Sequence, residues 1–418
     1  MGRISEHKRT QAISQWRTVF SVPVIVAALG YFVDIYDLVL FSIVRVPSLK
    51  SIGLQGQALL DEGVFLLNMQ MAGMLIGGVI WGILGDKKGR LKILFGSIFL
   101  YSVANIANGM VATMEWYSVW RFIAGVGLAG ELGAGITLVT EVLPKHLRGY
   151  GTMVVASVGV SGAILANYLA KLFDWRVAFF IGGGLGLLLL FLRMGVYESG
   201  MFRQVEKSPV KRGNFLKIFS NRRMLFKYAN SILIGIPIWF VVGILITFSP
   251  EFANALGVIG AVNAGNAVMF CYLGLILGDF SSGLLSQLWK SRKKAVLFFQ
   301  LMTAVFIIFY FNLSGATSEV FYAVCVLLGF AIGYWAMFVT IAAEQFGTNL
   351  RATVATTVPN FVRGSVVPVT FLFQFAKSKL GILNGATVIA VLCLLVAFYA
   401  LWRLEETFHK DLDYIELS

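Results

Sequence analysis

Long apolar runs fill almost the whole chain, and their length restricts the folds that it can adopt. An apolar helix of about 20 residues spans the hydrocarbon core of a bilayer. Within that core every backbone N–H and C=O group must be paired inside the protein, which a helix achieves on its own. The pattern predicts an all-α membrane protein with twelve transmembrane helices at 18–47, 62–85, 91–111, 114–143, 149–172, 176–197, 224–253, 261–288, 294–312, 318–346, 351–377 and 383–404.

The composition favours a membrane protein over a soluble one. Of the 418 residues, 58% are hydrophobic and only 13% are charged, and the mean hydropathy is +0.80. A soluble domain carries about 25% charged residues, and a soluble chain of this length has no core large enough to bury so much apolar surface. We therefore expect the lipid bilayer to surround most of the side chains.

The chain shows no sequence pattern of a disulfide framework, a metal centre or an enzyme active site. Its cysteines, Cys271, Cys325 and Cys393, all lie inside apolar runs without metal-ligand spacing. No nucleophile–base set is visible, so we expect neither catalysis nor a bound cofactor. The polar stretch 1–17 lacks a cleavable signal pattern, and the first apolar run is expected to remain as a helix.

A ten-residue phrase occurs twice, once in each half of the chain. It reads TEVLPKHLRG at 140–149 and AEQFGTNLRA at 343–352. Glu141, Leu147 and Arg148 of the first copy correspond to Glu344, Leu350 and Arg351 of the second. Each pair is 203 positions apart, which is about half of the chain. Related halves in a chain this hydrophobic are typical of a transporter built from two helical bundles.

Basic residues divide the chain and predict its orientation. The long polar connector 198–223 separates an N-terminal six-helix bundle, 1–197, from a C-terminal six-helix bundle with a short tail, 224–418. Loops on one predicted side carry several-fold more Lys and Arg than loops on the other, which places both termini in the cytoplasm. This distribution explains the net charge of +13 without nucleic acid. The expected location is a bacterial inner membrane.

The loop between the second and third predicted helices contains the most specific motif. Residues 82–92 read GILGDKKGRLK, with glycines for a tight turn and charges at Asp86 and Arg90 that can pair with neighbouring helix ends. The spacing alone is explained equally well by an ordinary basic loop without a gating role. The stretch resembles the G-x-L-x-D-[RK]-x-G-R-[RK] signature of the major facilitator superfamily, and 283–294 is a degenerate echo of it.

Other segments resemble the proton-linked sugar and metabolite porters of that superfamily. They are RFIAGVG at 121–127, YES at 197–199 and EETFHKDLDY at 405–414, the last two without the prolines of that branch. The resemblance implies two pseudo-symmetric bundles that rock about a central site and give alternating access. A cytoplasmic gate is then expected at Asp86, Arg90, Glu141, Arg148, Glu344 and Arg351.

Ionisable residues inside predicted helices are the candidates for proton coupling. Asp34 and Asp37 lie on nearly one face of the first helix, and Arg121 and Glu131 lie in the fourth. Asp37 and Arg121 are expected at comparable depth, and a carboxylate can exchange a proton as an arginine approaches or leaves it. In the porters that the chain resembles, an acid and an arginine at these two positions have that role. Asp34 or Glu131 is expected to be a second titrating or substrate-binding acid. The alternative is a static charge network.

Arg363 is the main candidate for substrate binding. It lies near the middle of the predicted helix 351–377, where a guanidinium can hold an anionic group through two hydrogen bonds. A structural pair with Glu344 or with backbone carbonyls is the alternative. Further candidates are Asn360 and the aromatic residues Trp239, Tyr272, Tyr334 and Trp335, although aromatic side chains in a chain with 35 Phe more often pack or face lipid.

Together these features predict a secondary transporter that imports a small polar metabolite with protons. Arg363 favours an organic anion or a zwitterion over a neutral sugar. A proton-antiport exporter of drugs or metabolites is the alternative, because the same acids serve either direction. A receptor would add a soluble domain, and a channel would not need charged gates. The expected partners are substrate, protons and the lipid bilayer, and the expected functional unit is a monomer.

Overall fold

The described part of the chain consists mainly of helices joined by short loops. The computed structural model describes residues 20–88, 90–131, 143, 148–198 and 217–408, and no strand element occurs among them. The predicted all-α class is confirmed. Numbered in chain order, the helices are α1 Val22–Ser51, α2 Gln57–Lys88, α3 Arg90–Met110, α4 Met114–Leu128, α5 Arg148–Val160, α6 Gly162–Leu172, α7 Trp175–Glu198, α8 Lys217–Ser220, α9 Arg222–Leu233, α10 Ile236–Phe240, α11 Ser249–Ala255, α12 Ala264–Leu288, α13 Arg292–Phe311, α14 Ser318–Ala331, α15 Trp335–Glu344, α16 Thr348–Gly364 and α17 Val366–Arg403.

Nine helical stretches within the described ranges are long and apolar enough to cross a membrane. The last of them, Thr353–Arg403, has 51 residues, which is too long for one crossing, and it covers two of the predicted helices. The chain leaves the helical conformation between those two, at Gly381, where φ is 80°. The predicted helices at 91–111 and 114–143 are absent from the nine. The structure describes the first as α3 without the side chains of 91–94, and it describes the second only over 114–131 and at 143. The count of twelve therefore stays a prediction.

Several of the predicted helices are interrupted. Single residues separate α5 from α6 within 149–172 and α16 from α17 within 351–377, and two other predicted helices have longer breaks. The segment 224–253 consists of α9, α10, a π-helical stretch at Val241–Ile246 and α11, while 318–346 consists of α14 and α15. Pro237 and Pro250 lie in the first turns of α10 and α11, where a missing N–H costs no helical hydrogen bond. Interruptions of this kind are tolerated inside a bilayer where the backbone is covered by protein.

Glycine contacts accompany the break between α14 and α15. Gly333 lies at this break and packs on Gly278 of α12, so that a Cβ at either position would overlap the facing backbone. Gly274 and Gly329 make the same kind of backbone contact between α12 and α14. Small residues let membrane helices approach closely, and van der Waals packing then holds them together.

The helices of each half pack mainly on one another. In the first half α4 packs against α2 and α3, and α1 packs against α5, α6 and α7. In the second half α12 packs against α14, and α17 packs against α9, α10 and α13. Two seams join the halves, one between α2 and α16 and the other between α12 and the pair of α1 and α6. Side-chain contacts between the halves, described below, also join α1 to α11 and α16, and α2 to α17.

Candidate functional site

Arg363 and Asp34 form an ion pair between the two halves. The Nη2 atom of Arg363 lies 3.5 Å from Oδ2 of Asp34, and both side chains are at most 1% exposed. Among the described residues, the Nε and Nη1 atoms of Arg363 have no hydrogen-bond partner. A tight charge-assisted hydrogen bond measures about 2.8 Å, so this pair is loosely held. The sequence left a pair of Arg363 with Glu344 as an alternative. In the structure Glu344 pairs with Arg292 instead.

Two tryptophans flank the Arg363 guanidinium. Its Cζ atom lies 5.9 Å from the ring centre of Trp239 and 5.5 Å from that of Trp335. The two rings meet edge to face with their centres 6.3 Å apart. These distances allow cation–π attraction. Trp239 lies on α10 before the π-helical stretch, and Trp335 opens α15, so both rings come from the interrupted helices.

Tyr272 and Tyr334, the two tyrosines among the predicted binding residues, differ in their contacts near Arg363. Tyr272 of α12 is buried and interacts electrostatically with Arg363 and Asp34. Tyr334 is also buried, but its hydroxyl donates to the carbonyl of Ile234 at 3.2 Å. The Tyr334 hydroxyl therefore links the start of α15 to the end of α9.

Asn360 connects the halves one turn away from Arg363. Its Nδ2 atom donates to the Ala129 carbonyl of the first half at 2.8 Å and to the Thr356 carbonyl on its own helix at 3.2 Å. A second contact of this kind joins Thr370 Oγ1 to Asn68 Oδ1 at 2.6 Å. The amide nitrogen of Asn360 is thus engaged across the seam in this conformation.

Asp37 and Arg121 are both buried in the first half and are separated from each other. Arg121 Nη2 donates to Gln70 Oε1, and the guanidinium lies 4.7 Å from the ring centre of Phe41. Across the described part of the chain, neither oxygen of Asp37 has a hydrogen-bond partner. The two groups still interact electrostatically. The proton-coupling role of this pair stays a prediction.

Glu131 is held by Arg193 of α7, a residue that the sequence argument did not single out. The two guanidinium nitrogens donate to the two carboxylate oxygens at 2.5 and 3.1 Å, and both side chains are buried. The sequence signal for it was that Arg193 lies in the interior of the apolar run 176–197, where a charge needs a partner in a membrane. The bidentate geometry favours a structural role for Glu131 in this conformation.

Glu344 belongs to a network at the predicted cytoplasmic end of the second half. Nε and Nη2 of Arg292 donate to its carboxylate at 2.6 and 2.8 Å. The Thr407 hydroxyl donates to the same carboxylate at 2.7 Å. These contacts join α15, the start of α13 and the segment after α17.

Glu406 caps the first turn of α13. Its carboxylate accepts from the Ser291 hydroxyl and from the backbone N–H groups of Arg292, at 3.0 Å, and Lys293, at 3.2 Å. Burial alone would raise the pKa of Glu406, but the hydrogen bonds from Ser291 and the backbone outweigh it and lower that pKa. The carboxylate also lies at the positive end of the helix dipole.

The remaining residues of the predicted gate are not described in full. Glu141 lies outside the described residues. For four others the structure describes the backbone but not the side chain. They are Asp86 in α2, Arg90 in α3, Arg148 in α5 and Arg351 in α16. The six-residue gate therefore stays a prediction, and Glu344 is the member whose partners are defined.

Two ion pairs at the opposite end of the molecule were missed from the sequence. Nη2 of Arg45 lies 2.6 Å from Glu251, and Lys377 Nζ lies 2.8 Å from Asp61. Both pairs cross from the first half to the second. Arg45 is the only basic residue in the apolar run 18–47, which signals a buried partner, but nothing in the sequence identifies Glu251 as that partner.

Comparison with known proteins finds relatives along nearly the whole chain. A family model described as Major Facilitator Superfamily matches residues 27–370. A putative metabolite transport protein of Haemophilus influenzae is 28% identical over 397 residues, which cover 88% of this chain and 94% of that protein. The niacin transporter NiaP of Acinetobacter baylyi is 24% identical over 365 residues, which cover 78% of this chain and 80% of that protein.

A solved structure shares the fold. The xylose transporter XylE from E. coli, in a partially occluded inward open conformation, superimposes with a TM-score of 0.70 at 17% sequence identity. The match covers 94% of this chain and 99% of that one. At this level of identity the likeness concerns the fold alone.

Proposed function

We propose that this chain, which belongs to the major facilitator superfamily, imports a small organic anion together with a proton. The family and the relatives make the protein a multi-pass membrane transporter rather than an enzyme. The substrate class, the coupled ion and the direction of transport are the proposed part. An aromatic or otherwise planar carboxylate is the favoured substrate.

The loosely paired guanidinium of Arg363 carries this proposal. It is buried between the halves, and two of its nitrogens have no hydrogen-bond partner among the residues in the described ranges. A guanidinium binds a carboxylate through two parallel hydrogen bonds. Trp239 and Trp335 flank the same group and offer aromatic faces to a flat substrate. Niacin, whose transporter is a relative of this chain, combines a carboxylate with an aromatic ring.

Exchange of carboxylates at Arg363 supplies a coupling mechanism. A substrate carboxylate that takes the guanidinium deprives Asp34 of its counter-ion. An unpaired carboxylate in a desolvated site favours the neutral form, so that substrate and proton bind together. Within the same half, Asp37 would accept a proton, and the charge of Arg121 would modulate its proton affinity. The proton gradient would then drive import.

Alternating access would expose this site to each side of the membrane in turn. We place the moving units at 1–197 and 224–418, joined by the connector 198–223, with both termini in the cytoplasm of a bacterial inner membrane. Rocking would separate the seams at one end while closing them at the other. No contact in this mechanism requires a second copy of the chain, so a monomer would be sufficient.

Uptake into proteoliposomes tests the proposal. Labelled niacin is compared with its neutral amide, nicotinamide, with and without an inward proton gradient. We expect gradient-dependent uptake of niacin, little uptake of nicotinamide, and at least tenfold less niacin uptake by the Arg363→Lys variant, because lysine cannot form the bidentate contact.

The matched control is Arg403→Lys, at the exposed end of α17, which should transport normally. Protons leaving the lumen as niacin enters would establish the antiport alternative. Full uptake by folded Arg363→Lys protein would refute the assignment of the anion site. If a panel of organic acids including niacin fails while sugars are transported, the substrate class is wrong.

A further inference from the structure

A row of buried polar side chains lies along one face of α3. Tyr101, Asn105 and Asn108 are at most 1% exposed. The Tyr101 hydroxyl and both amide atoms of each asparagine lack a hydrogen-bond partner among the residues that are described. Their spacing of four and three residues puts them on one face of the helix. Polar groups inside a membrane protein are normally satisfied or functional, because burying them unpaired is costly.

The row runs from the interior of the first half to one end of the molecule. Tyr101 and Asn108 are separated by about 10 Å along the helix axis. Asn108 lies two residues before Met110, the last residue of α3. The Met110 side chain is 70% exposed. The charge distribution predicts that this end faces the outside. One end of the row therefore lies near the end of α3 that is predicted to face the outer aqueous phase.

The deep end of the row meets the acids of the first half. Tyr101 interacts electrostatically with Glu131, Asp37 and Arg193. The Asn105 side chain faces the Asp37 carboxylate. Asn105 is close enough to Asp37 for a hydrogen-bond interaction, but neither side chain has a hydrogen-bond partner of normal geometry among the described residues. The row thus leads from the outer end of α3 to Asp37.

We propose that ordered water follows this row and conducts protons between the outer aqueous phase and Asp37. Amide and phenol groups both donate and accept hydrogen bonds, so each can hold water on two sides. Buried water binds where several polar groups converge. A proton can then pass along hydrogen-bonded water, and no residue of the row needs to titrate.

The groups around Asp37 are compatible with a proton-binding end. Asp34 and Tyr36 are its neighbours on α1, Arg121 faces it from α4, and Tyr101 interacts with it from α3. On α7 the position facing the carboxylate is Gly182, where a Cβ would overlap Asp37 Oδ1. Asp37 therefore faces one like charge, one opposite charge and a position where glycine leaves room.

This route is separate from the substrate site. Helix α3 packs on α4 and α7 inside the first half, whereas Arg363 and its two tryptophans belong to the second half. The route does not pass through the seam that Arg45 and Glu251 close at the outer end. A proton could therefore reach Asp37 while the substrate path is closed to the outside. The inference rests on the proton coupling proposed above and adds the path of the proton.

Thiol reactivity tests for water along the row without requiring transport. Asn105→Cys and Asn108→Cys are made in a chain whose three native cysteines, all buried, are replaced by alanine. Proteoliposomes receive external Ag⁺, and maleimide labelling after unfolding counts the thiols that Ag⁺ has not reached. We expect both thiols to react at least tenfold faster than that of Leu189→Cys, a buried apolar position on α7. Equal rates at the three positions would overturn the inference.

A flux assay tests whether the row serves the proton. The double variant Asn105→Leu, Asn108→Leu should slow niacin-driven proton entry at least tenfold while niacin exchange without a gradient stays within twofold. The control Asn312→Leu, at an exposed asparagine after α13, should change neither rate. Equal losses in both assays would show a structural role and overturn the inference. Wild-type protein that moves niacin without protons would refute the proposed coupling, and the thiol rates would then decide alone whether water follows the row.

Discussion

The buried guanidinium of Arg45 on α1 binds the carboxylate of Glu251 on α11 and so joins the two halves of the molecule. The Nη2 atom lies 2.6 and 2.8 Å from the two carboxylate oxygens, and Nη1 donates to the Leu59 carbonyl at 3.0 Å. The guanidinium also lies 4.5 Å from the ring centre of Phe248. One side chain thus connects α1, the start of α2 and the interrupted helix that contains the π-helical stretch.

This contact should hold the outer end of the seam closed. The Glu251→Gln change removes the charge that compensates a fully buried arginine, and loss of one partner of a buried pair costs about 3–5 kcal/mol. Opening the seam lets Arg45 reach water, so we expect Glu251→Gln to favour outward opening. Electron paramagnetic resonance between spin labels at Gln55→Cys and Asn254→Cys should show a longer distance in the variant.

The second ion pair at the same end provides a matched control. Asp61 and Lys377 also join the halves, but the Asp61 side chain is 49% exposed. An exposed pair contributes at most about 1 kcal/mol, so Lys377→Gln should leave the distance distribution nearly unchanged. Similar shifts in both variants would contradict the assignment of the outer closure to Arg45 and Glu251.

The Glu406 cap should make stability depend on acid pH. Its pKa is lower in the folded protein than in the unfolded chain, whose glutamates titrate near about 4.3. The stabilisation is therefore complete above that pH and disappears as the pH falls through the lower folded value. Glu406→Gln should lower the melting temperature at pH 7, and this loss should be smaller at about pH 3. Because the side chain is exposed, we expect less than about 1 kcal/mol.

Thermal unfolding in detergent, followed by tryptophan fluorescence, measures this difference. Glu405→Gln is the neighbouring control, since its ion pair with Arg223 is long, at 3.7 Å, and exposed on both sides. A destabilisation by Glu406→Gln that is equally large at both pH values would show that the carboxylate charge is not what stabilises α13.

The close contact of α12 with α14 and α15 predicts opposite effects for two glycines of α12. A Cβ at Gly278 would overlap the Phe330 carbonyl and Gly333, whereas a Cβ at Gly283 has no other atom within 4 Å. Gly278→Ala should destabilise the protein by roughly 1–3 kcal/mol through overpacking. Gly283→Ala should stabilise it by about 0.5–1 kcal/mol, because alanine loses less entropy in a helix. Melting curves of the two variants, measured in parallel, show whether each change raises or lowers the stability. An unchanged melting temperature for Gly278→Ala would show that the helices can move apart without loss of stability.

The sequence predicts the helices better than their interruptions. Apolar length alone indicates where α1, α2 and α12 cross the membrane, because the bilayer requires that length of any helix. The break before α15 lies instead where Gly333 meets Gly278 of another helix. Such a contact depends on which helices become neighbours, and periodicity along a single helix does not contain that information.

The same distinction applies to the buried charges. Asp34, Asp37, Arg121 and Arg363 stand out in the sequence because charges are costly in a membrane, and all four are buried. Their partners could not be assigned, because position along a helix gives depth while the rotation of the helix stays undetermined. Arg363 consequently meets Asp34, which lies in the opposite half of the chain, rather than Glu344 of its own half.

Variants of the Glu131–Arg193 pair test whether Glu131 is a structural residue or takes part in proton transport. Arg193→Met leaves Glu131 buried without a counter-ion, and we expect a loss of about 3–5 kcal/mol in stability. Adding Glu131→Gln removes the orphaned charge, so the double variant should recover most of that loss. Melting curves of the two single variants and the double variant measure this coupling. If Glu131 is structural, the double variant should also keep the wild-type pH dependence of niacin uptake. A stable double variant whose uptake no longer responds to pH would instead place Glu131 among the residues that carry the proton.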